Sequence, residues 1–469
     1  MNLRGLKHFR LSAATMRKLT FVIGLAMMSV ASQARNAMAN DDYIRAPMPP
    51  GFQVIMNGLE GPVFADAQGH TLYKWPKAGL RNGDAGDLPS KSNCDNTVRR
   101  ETAGLVTPYP AGLEMPEVDR RPSCADLWPP VLADVSAKPV GKWDIIDRAD
   151  GRKQWAYENW PLYTSNLDQR PGEVWGGTYL LLTPGGFADS GAPRVPVRPD
   201  PNVPPQFAVT TMMMGRLVSL KDGWSIYTYD GDSRNKSNCN DSCTDDWQPI
   251  LAADYARPMG EWATFERSPG VRQWSFRGKP VYRRLNDDKT HAQDGGDVPR
   301  WHNVYMQMAP KPPKGFALKN TWMGLLLGDE RGMTVYKYNC TDDAVDQLAC
   351  DNPDMPQVYR FAMCGGGDPD RCVKTFPYVI ASVNARADGQ VWNTMDIDPK
   401  TGKRAMPGPG ALHVWTFRGR PIYTFAGRNG YGDEVPGDFK AHAWGEYQGT
   451  RNGFRALVYR DDFNGRDAQ

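Results

Sequence analysis

The chain repeats itself three times, and this constrains the fold more than any single residue does, because similar segments must each close a similar core. Each segment opens on prolines and a phenylalanine: "PPGF" with Phe52, "PPQF" with Phe207, "PPKGF" with Phe316. A glycine then starts "GPVFADAQGHTLYKW", "GRLVSLKDGWSIYTY" and "GLLLGDERGMTVYKY", which place Tyr73, Tyr227 and Tyr336 alike. A cysteine precedes an aromatic-proline element in "CADLWPPVLAD", "CTDDWQPILAAD" and "CVKTFPYVIASV". A second half-unit follows, with Trp143, Trp262 and Trp392, then Trp155, Trp274 and Trp415, then Tyr163, Tyr282 and Tyr423.

Short runs such as "GRLVSL", "WSIYTY" and "VRQWSF" are rich in β-branched and aromatic residues, and "KDG", "SPG" and "RGK" separate them as turn signals. With no sustained helical period, this predicts an all-β protein: three tandem, disulfide-stapled antiparallel repeats, each a small sandwich or barrel. A single six-bladed, propeller-like ring built from the six half-units is the alternative. Proline-rich stretches suit spacers rather than sheet interiors. They place repeat domains at 44–190, 206–308 and 315–460, linkers at 191–205 and 309–314, and a tail at 461–469.

At the N-terminus, Arg17 and Lys18 precede an apolar stretch that ends in small residues around Ala34 and Ala39, the layout of a secretory signal over 1–39. Met16 is an alternative start to Met1. A membrane anchor needs about 20 apolar residues, and Gln33 and Arg35 interrupt too soon. No cysteine precedes Cys94, so no thiol is offered for lipid attachment, and no membrane anchor is expected after cleavage. Removing the leader takes six basic residues and moves the net charge from +3 to −3. Without a dense basic run in the remainder, nucleic acid is not an expected partner. The expected location is periplasmic or secreted.

These residues resemble a known group, the bacterial secreted repeat proteins and predicted lipoproteins marked by a Y-x-(F/W/Y)-x-x-D motif, whose biochemical function is unassigned. "YTYDGD" fits with Tyr227, Tyr229 and Asp232, and "YKYNCTD" fits with Tyr336 and Tyr338 except that Asp342 comes one residue late. "YKWPKAG" keeps Tyr73 and Trp75 but lacks the acid. Tyr163 and Tyr282 are each followed by an aspartate without the middle aromatic, and Tyr423 keeps Phe425 without the acid. The resemblance implies an exported β-rich repeat and no particular reaction.

Eight cysteines in an exported chain read as a disulfide framework, since the compartment lets such bonds persist. The repeat register pairs Cys94 with Cys124, Cys239 with Cys243 and Cys340 with Cys372, and nests Cys350 with Cys364. Zinc would want four ligands at tight paired spacings such as C-x2-C or H-x3-H, whereas each segment's register offers two cysteines and no nearby histidine pair, and the C-x-x-C-H of haem attachment is absent.

Other candidates for chemistry are sparse. Asp230, Asp232, Asp241, Asp245 and Asp246 could gather calcium but do not follow its loop spacing, which favours a solvated loop. Asp287, Asp288, Asp294 and Asp297 lie beside His291 and His302, and of these Asp294, Asp297, His291 and His302 form the candidate metal set. The third segment has a loosely similar Asp433, Asp438 and His442. No G-x-S-x-G elbow or H-E-x-x-H occurs. Trp155, Trp274 and Trp415, each followed two residues later by Tyr157, Phe276 or Phe417, would share one strand face and fit a core better than a binding platform. The sequence thus reads as a non-catalytic binding or scaffolding module with no cofactor, whose partner is an unknown envelope protein or glycan. The alternatives are a periplasmic redox or metal accessory protein and an envelope glycan hydrolase.

Overall fold

The computed structural model describes residues 42–75, 87–97, 122–176, 195–321, 324–338, 352–426 and 454–461. The leader, Cys340, Cys350, Asp342, Asp433, Asp438 and His442 lie outside the described residues, as do residues 191–194 of the first linker and 462–469 of the tail. Strand outweighs helix, 38% to 8%, in several small antiparallel sheets. The described sheets have two to five strands and none closes on itself, so the barrel form of the expectation is not met.

Two kinds of hairpin recur. The first follows the opening phenylalanine: Gln53–Asn57 pairs with Gly61–Ala65, Phe207–Met212 with Gly215–Leu220, and Ala317–Thr321 with Gly324–Gly328. Gly215 shows why a glycine starts the return strand. Its φ is 137°, and a Cβ there would stand inside contact distance of the Gln307 carbonyl on the neighbouring strand.

The second hairpin carries the tryptophans, with Trp143 opposite Tyr157, Trp262 opposite Phe276 and Trp392 opposite Phe417. A tight turn then leads into the strand before the second tyrosine. Its two central residues have positive φ in each case: Glu158 and Asn159, Arg277 and Gly278, Arg418 and Gly419. Such two-residue turns match the twist of the strands they join.

The hairpins meet through rings. Phe52 stacks on Trp143 at 4.8 Å, Phe207 on Trp262 at 4.0 Å, and Phe316 leans on Trp392 at 5.0 Å. Each phenylalanine also meets the second tryptophan edge-on, at 5.7, 5.8 and 5.5 Å. Trp155, Trp274 and Trp415 and their ring partners Tyr157, Phe276 and Phe417 are buried, so this face is core and not platform. Trp143, Trp262 and Trp392 are fully buried, and truncating one to alanine would cost ~3–5 kcal/mol.

A second cluster in each segment gathers the tyrosines beside the aromatic-proline element. The disulfides Cys94–Cys124 and Cys239–Cys243 close there, each at the start of a single-turn helix that ends on Trp128 or Trp247. The third segment departs from the expected pairing, because Cys364 bonds Cys372, which rules out both Cys340 with Cys372 and Cys350 with Cys364. The reason is local. The inserted stretch forms a helix Val358–Gly365 that turns at left-handed Gly366 into the helix Pro369–Thr375, which brings the two Cα atoms to 4.9 Å.

The segments also touch one another. Leu59 and Met213, from the first hairpin turns of the first and middle segments, pack into the third segment's tryptophan cluster. Buried Glu60 pairs with Arg198 and, at 2.8 Å, with Arg418. Arg460 grips Asp297 with two bonds of 2.9 and 2.6 Å.

Candidate functional site

The repeated tyrosines are the natural starting point. In each segment the two of them face each other across antiparallel backbone: Tyr73 opposite Tyr163, Tyr227 opposite Tyr282, Tyr336 opposite Tyr423. In the first two segments each hydroxyl donates to an aspartate of the other half-unit. Tyr227 reaches Asp287 Oδ2 at 2.9 Å while Tyr282 reaches Asp232 Oδ2 at 2.8 Å. Tyr73 reaches Asp168 at 2.6 Å and Tyr163 reaches Asp87 at 2.6 Å. A tyrosine and the aspartate five residues after it therefore serve opposite partners, and the two half-units are cross-bolted.

The first segment does not lack its acid. Asp87 supplies it beyond an insertion, at the same distance from Ser-Asn-Cys as Asp232 is in the middle segment. In both places the asparagine six residues later donates its N–H to the aspartate at 2.7 Å, from Asn93 and from Asn238. The preceding serine bonds the tyrosine, Ser92 to Tyr163 at 2.8 Å and Ser237 to Tyr282 at 2.7 Å.

Behind this pair stands an arginine that neither composition nor motif singles out. Arg148 donates to Ser92 at 3.0 Å, to Gln154 Oε1 at 2.6 Å and to the Cys94 carbonyl at 3.0 Å. Arg267 repeats the set with Ser237, Gln273 at 3.0 Å and the Cys239 carbonyl. Gln154 and Gln273 pass the chain on to the carbonyls of Leu162 and Val281. The signal was present as an arginine five residues after the first tryptophan and a glutamine just before the second, shared by two segments.

Burial dominates the electrostatics. It pushes Asp287 and Asp168 up to about 7 and Asp87 up to about 6, against the tyrosine hydrogen bonds that favour the charged form. Asp232 is raised for the same reason. The tyrosines are raised by burial and by the carboxylates they face. A carboxyl poised near neutrality beside a phenol can exchange protons, but Tyr73, Tyr163, Tyr227 and Tyr282 have no exposed surface and Asp287 is 7% exposed. These groups hold the fold together from inside.

The candidate metal residues are dispersed. His291 meets the Thr210 hydroxyl at 3.2 Å, His302 meets Asp230 at 2.8 Å, Asp294 meets Arg284 at 2.9 Å, and Asp297 is held by Arg460. Among the described residues no three of His, Cys, Asp and Glu come together as a metal-binding group. The calcium candidates separate as well: Asp232 is buried on Tyr282, whereas Asp241, Asp245 and Asp246 surround the short disulfide loop. Burial lowers the His291 pKa, and the His302 hydrogen bond lowers that of Asp230.

The open surface lies elsewhere. A cleft of about 800 Å³ runs beside Gln248–Leu251 of the middle segment, with Asn240, Asp241, Arg267 and Arg283 in its lining. A second of about 670 Å³ lies beside Pro377–Ile380 of the third, the matching place after the cysteine-aromatic element. Both follow the run that leaves Leu251 and Ile380 more than half exposed.

Comparison with known proteins gives one match. A family model described as a secreted repeat of unknown function matches residues 144–178 and 209–250. These stretches hold the tryptophan hairpin after Trp143 and Asp168 of the first segment, and the first hairpin from Val209, Tyr227 and the disulfide of the middle one. No curated protein and no solved structure matches the chain. No helix of the described residues is long and apolar enough to cross a membrane.

Proposed function

We propose that the chain is an exported, non-catalytic module of three tandem β units, bounded near 44–190, 206–308 and 315–460, that binds a component of the cell envelope. The observation that carries this reading is the inward turn of the motif carboxylates. Asp87, Asp168, Asp232 and Asp287 each accept a buried tyrosine hydroxyl, so the acids with perturbed protonation serve cohesion. The match to secreted repeats supports export, and the three disulfides among the described residues suit an oxidising compartment outside the cytosol. The clefts beside Leu251 and Ile380 offer recessed surface for a partner.

The test is purified mature protein assayed on envelope glycans and in thiol–disulfide exchange. The expected result is no turnover and no titratable free thiol before unfolding. Turnover that survives purification and disappears in Asp287→Asn or Asp168→Asn, with folding intact, would overturn the reading.

A further inference from the structure

The cleft of the third segment is built around a sheet edge. Val379 uses both backbone groups inward, its N–H donating to the Ile422 carbonyl at 2.9 Å and its carbonyl accepting from Trp415 at 2.8 Å. To either side Thr424 donates to the Pro377 carbonyl and Ala381 to that of His413, each at 2.9 Å. Extended backbone alternates its bonding direction, so the N–H and C=O of Tyr378 and Ile380 face away from that sheet. Among the described residues neither makes a backbone hydrogen bond on that side. The Tyr378 ring turns inward, where its hydroxyl accepts from Arg360 at 2.6 Å, while the residue still lines the cleft beside Ile380, which is 59% exposed.

The same edge is blunted in the other two segments. Pro130 and Pro249 stand where Tyr378 stands, each opposite the second tyrosine of its segment. Proline has no N–H to offer and is a recurrent guard of exposed edges. Leu132 and Leu251, the counterparts of Ile380, keep an outward residue without the donor before it. Only the third segment has donor and acceptor at two successive outward positions, with Ile380 exposed and Tyr378 reached from the cleft through the 4% of its surface that is open. Its cleft also carries Lys314 and Arg386, both exposed, against Glu330; Asp329 is already paired with Arg331 at 2.7 Å.

We infer that the Tyr378–Ile380 edge binds an extended acidic peptide segment of another protein by β-strand addition, with Lys314 and Arg386 meeting its carboxylates. Main-chain hydrogen bonds would supply affinity and the cleft side chains selectivity. The inference rests on the binding-module reading above and adds the site and the partner's chemistry.

The test uses the full mature chain and a fluorescein-labelled, terminally blocked peptide of about eight residues alternating valine and glutamate, followed by anisotropy. The glutamate peptide should bind saturably, and a valine–lysine counterpart should not. Ile380→Pro removes one outward N–H and should weaken binding about tenfold or more, whereas Ile380→Ala keeps the N–H and should change it less than about threefold. The double change Lys314→Glu with Arg386→Glu should abolish binding of the glutamate peptide and keeps the idea falsifiable if Ile380→Pro does not fold. Three results overturn it: no saturable binding of the glutamate peptide up to about 1 mM, equal binding of the lysine peptide, or unchanged binding by folded Ile380→Pro or by the charge-reversed protein. Turnover and thiol titration are read separately, so failure here leaves the non-catalytic reading standing and identifies this site as the error.

Discussion

The middle and third segments support the same tyrosine pairing with opposite chemistry. Behind Tyr227 and Tyr282 stand Arg267 and Gln273, hydrogen-bonded to each other and to the disulfide loop. Behind Tyr336 and Tyr423 the same strand positions hold Ile397 and Val414, both fully buried in an apolar cluster. Both members have changed together, as expected where a half-satisfied polar network is worse than either a complete one or none. The third segment introduces its own cation from the inserted helix. Fully buried Arg360 lies 5.3 and 5.1 Å from the ring centres of Tyr378 and Tyr423 and bonds the Tyr378 hydroxyl. The shared part is the pairing geometry, and either interior can fill it.

The largest effect expected from this difference is with pH. Burial raises Asp87 to about 6 and Asp168 and Asp287 to about 7, whereas an unfolded chain releases these protons near pH ~3.9. Between those limits the folded state holds protons that the unfolded state lacks. The stability this contributes is complete below pH ~4 and is lost as pH rises through 6 to 7, at up to ~1.4 kcal/mol per pH unit for each group. Glu60 acts in the opposite sense: burial would raise it, but Arg198 and Arg418 hold it below its ordinary 4.5, so its contribution changes only at lower pH. The melting temperature should therefore be higher at pH 5 than at pH 8. Hydrogen-exchange protection, corrected for intrinsic rate, should fall over that range at the amides of Trp155 and Trp274, which bond Val131 and Ile250, and hold at that of Trp415. Equal loss at all three would mean that the buried carboxyls do not distinguish the first two segments from the third.

A smaller effect tests whether the two interiors are interchangeable. Arg148→Ile removes hydrogen bonds to Ser92, Gln154 and the Cys94 carbonyl at once, and should cost ~2–4 kcal/mol by urea unfolding. Adding Gln154→Val reproduces the pair that the third segment uses, and should recover ~1 kcal/mol of that loss. If the double variant is no more stable than Arg148→Ile alone, the polar and apolar interiors need different backbones.

Much of the fold was legible because its landmarks are local. The Phe52 and Trp143 positions recur in all segments and their rings meet, and the first two disulfides follow from spacing in the repeat register. The cross-bolting was not legible, since Tyr282 and Asp287 look like one site in the sequence yet bond Asp232 and Tyr227 respectively. Insertion hid two more features: Asp87 lies too far from Tyr73 for a fixed motif, and the helices that join Cys364 to Cys372 have, among the described residues, no counterpart in the other segments. Asp294 and Asp297 lie close in sequence because they bound one short 3-10 turn, whereas His302 belongs to the strand that follows it. Antiparallel pairing of Tyr227–Tyr229 with Trp301–Asn303 then brings His302 to Asp230, while contact with the third segment takes Asp297 to Arg460.

The smallest effect isolates one bolt. Tyr282→Phe keeps the ring and removes a hydroxyl that donates to Asp232 at 2.8 Å and bonds Ser237 at 2.7 Å. Asp232 keeps the Asn238 N–H at 2.7 Å, so the carboxylate loses one of two bonds, and the cost should be ~1 kcal/mol. Asp232→Asn weakens both bonds and should cost somewhat more. If the two groups act as a unit, the double variant will lose less than the sum of the singles, by ~0.5–1 kcal/mol, because the second change finds its bond already gone. Strict additivity would mean that the tyrosine is held by Ser237 and its ring packing alone. The motif aspartate would then serve the loop before Cys239, and the link between half-units would rest on Tyr227 with Asp287.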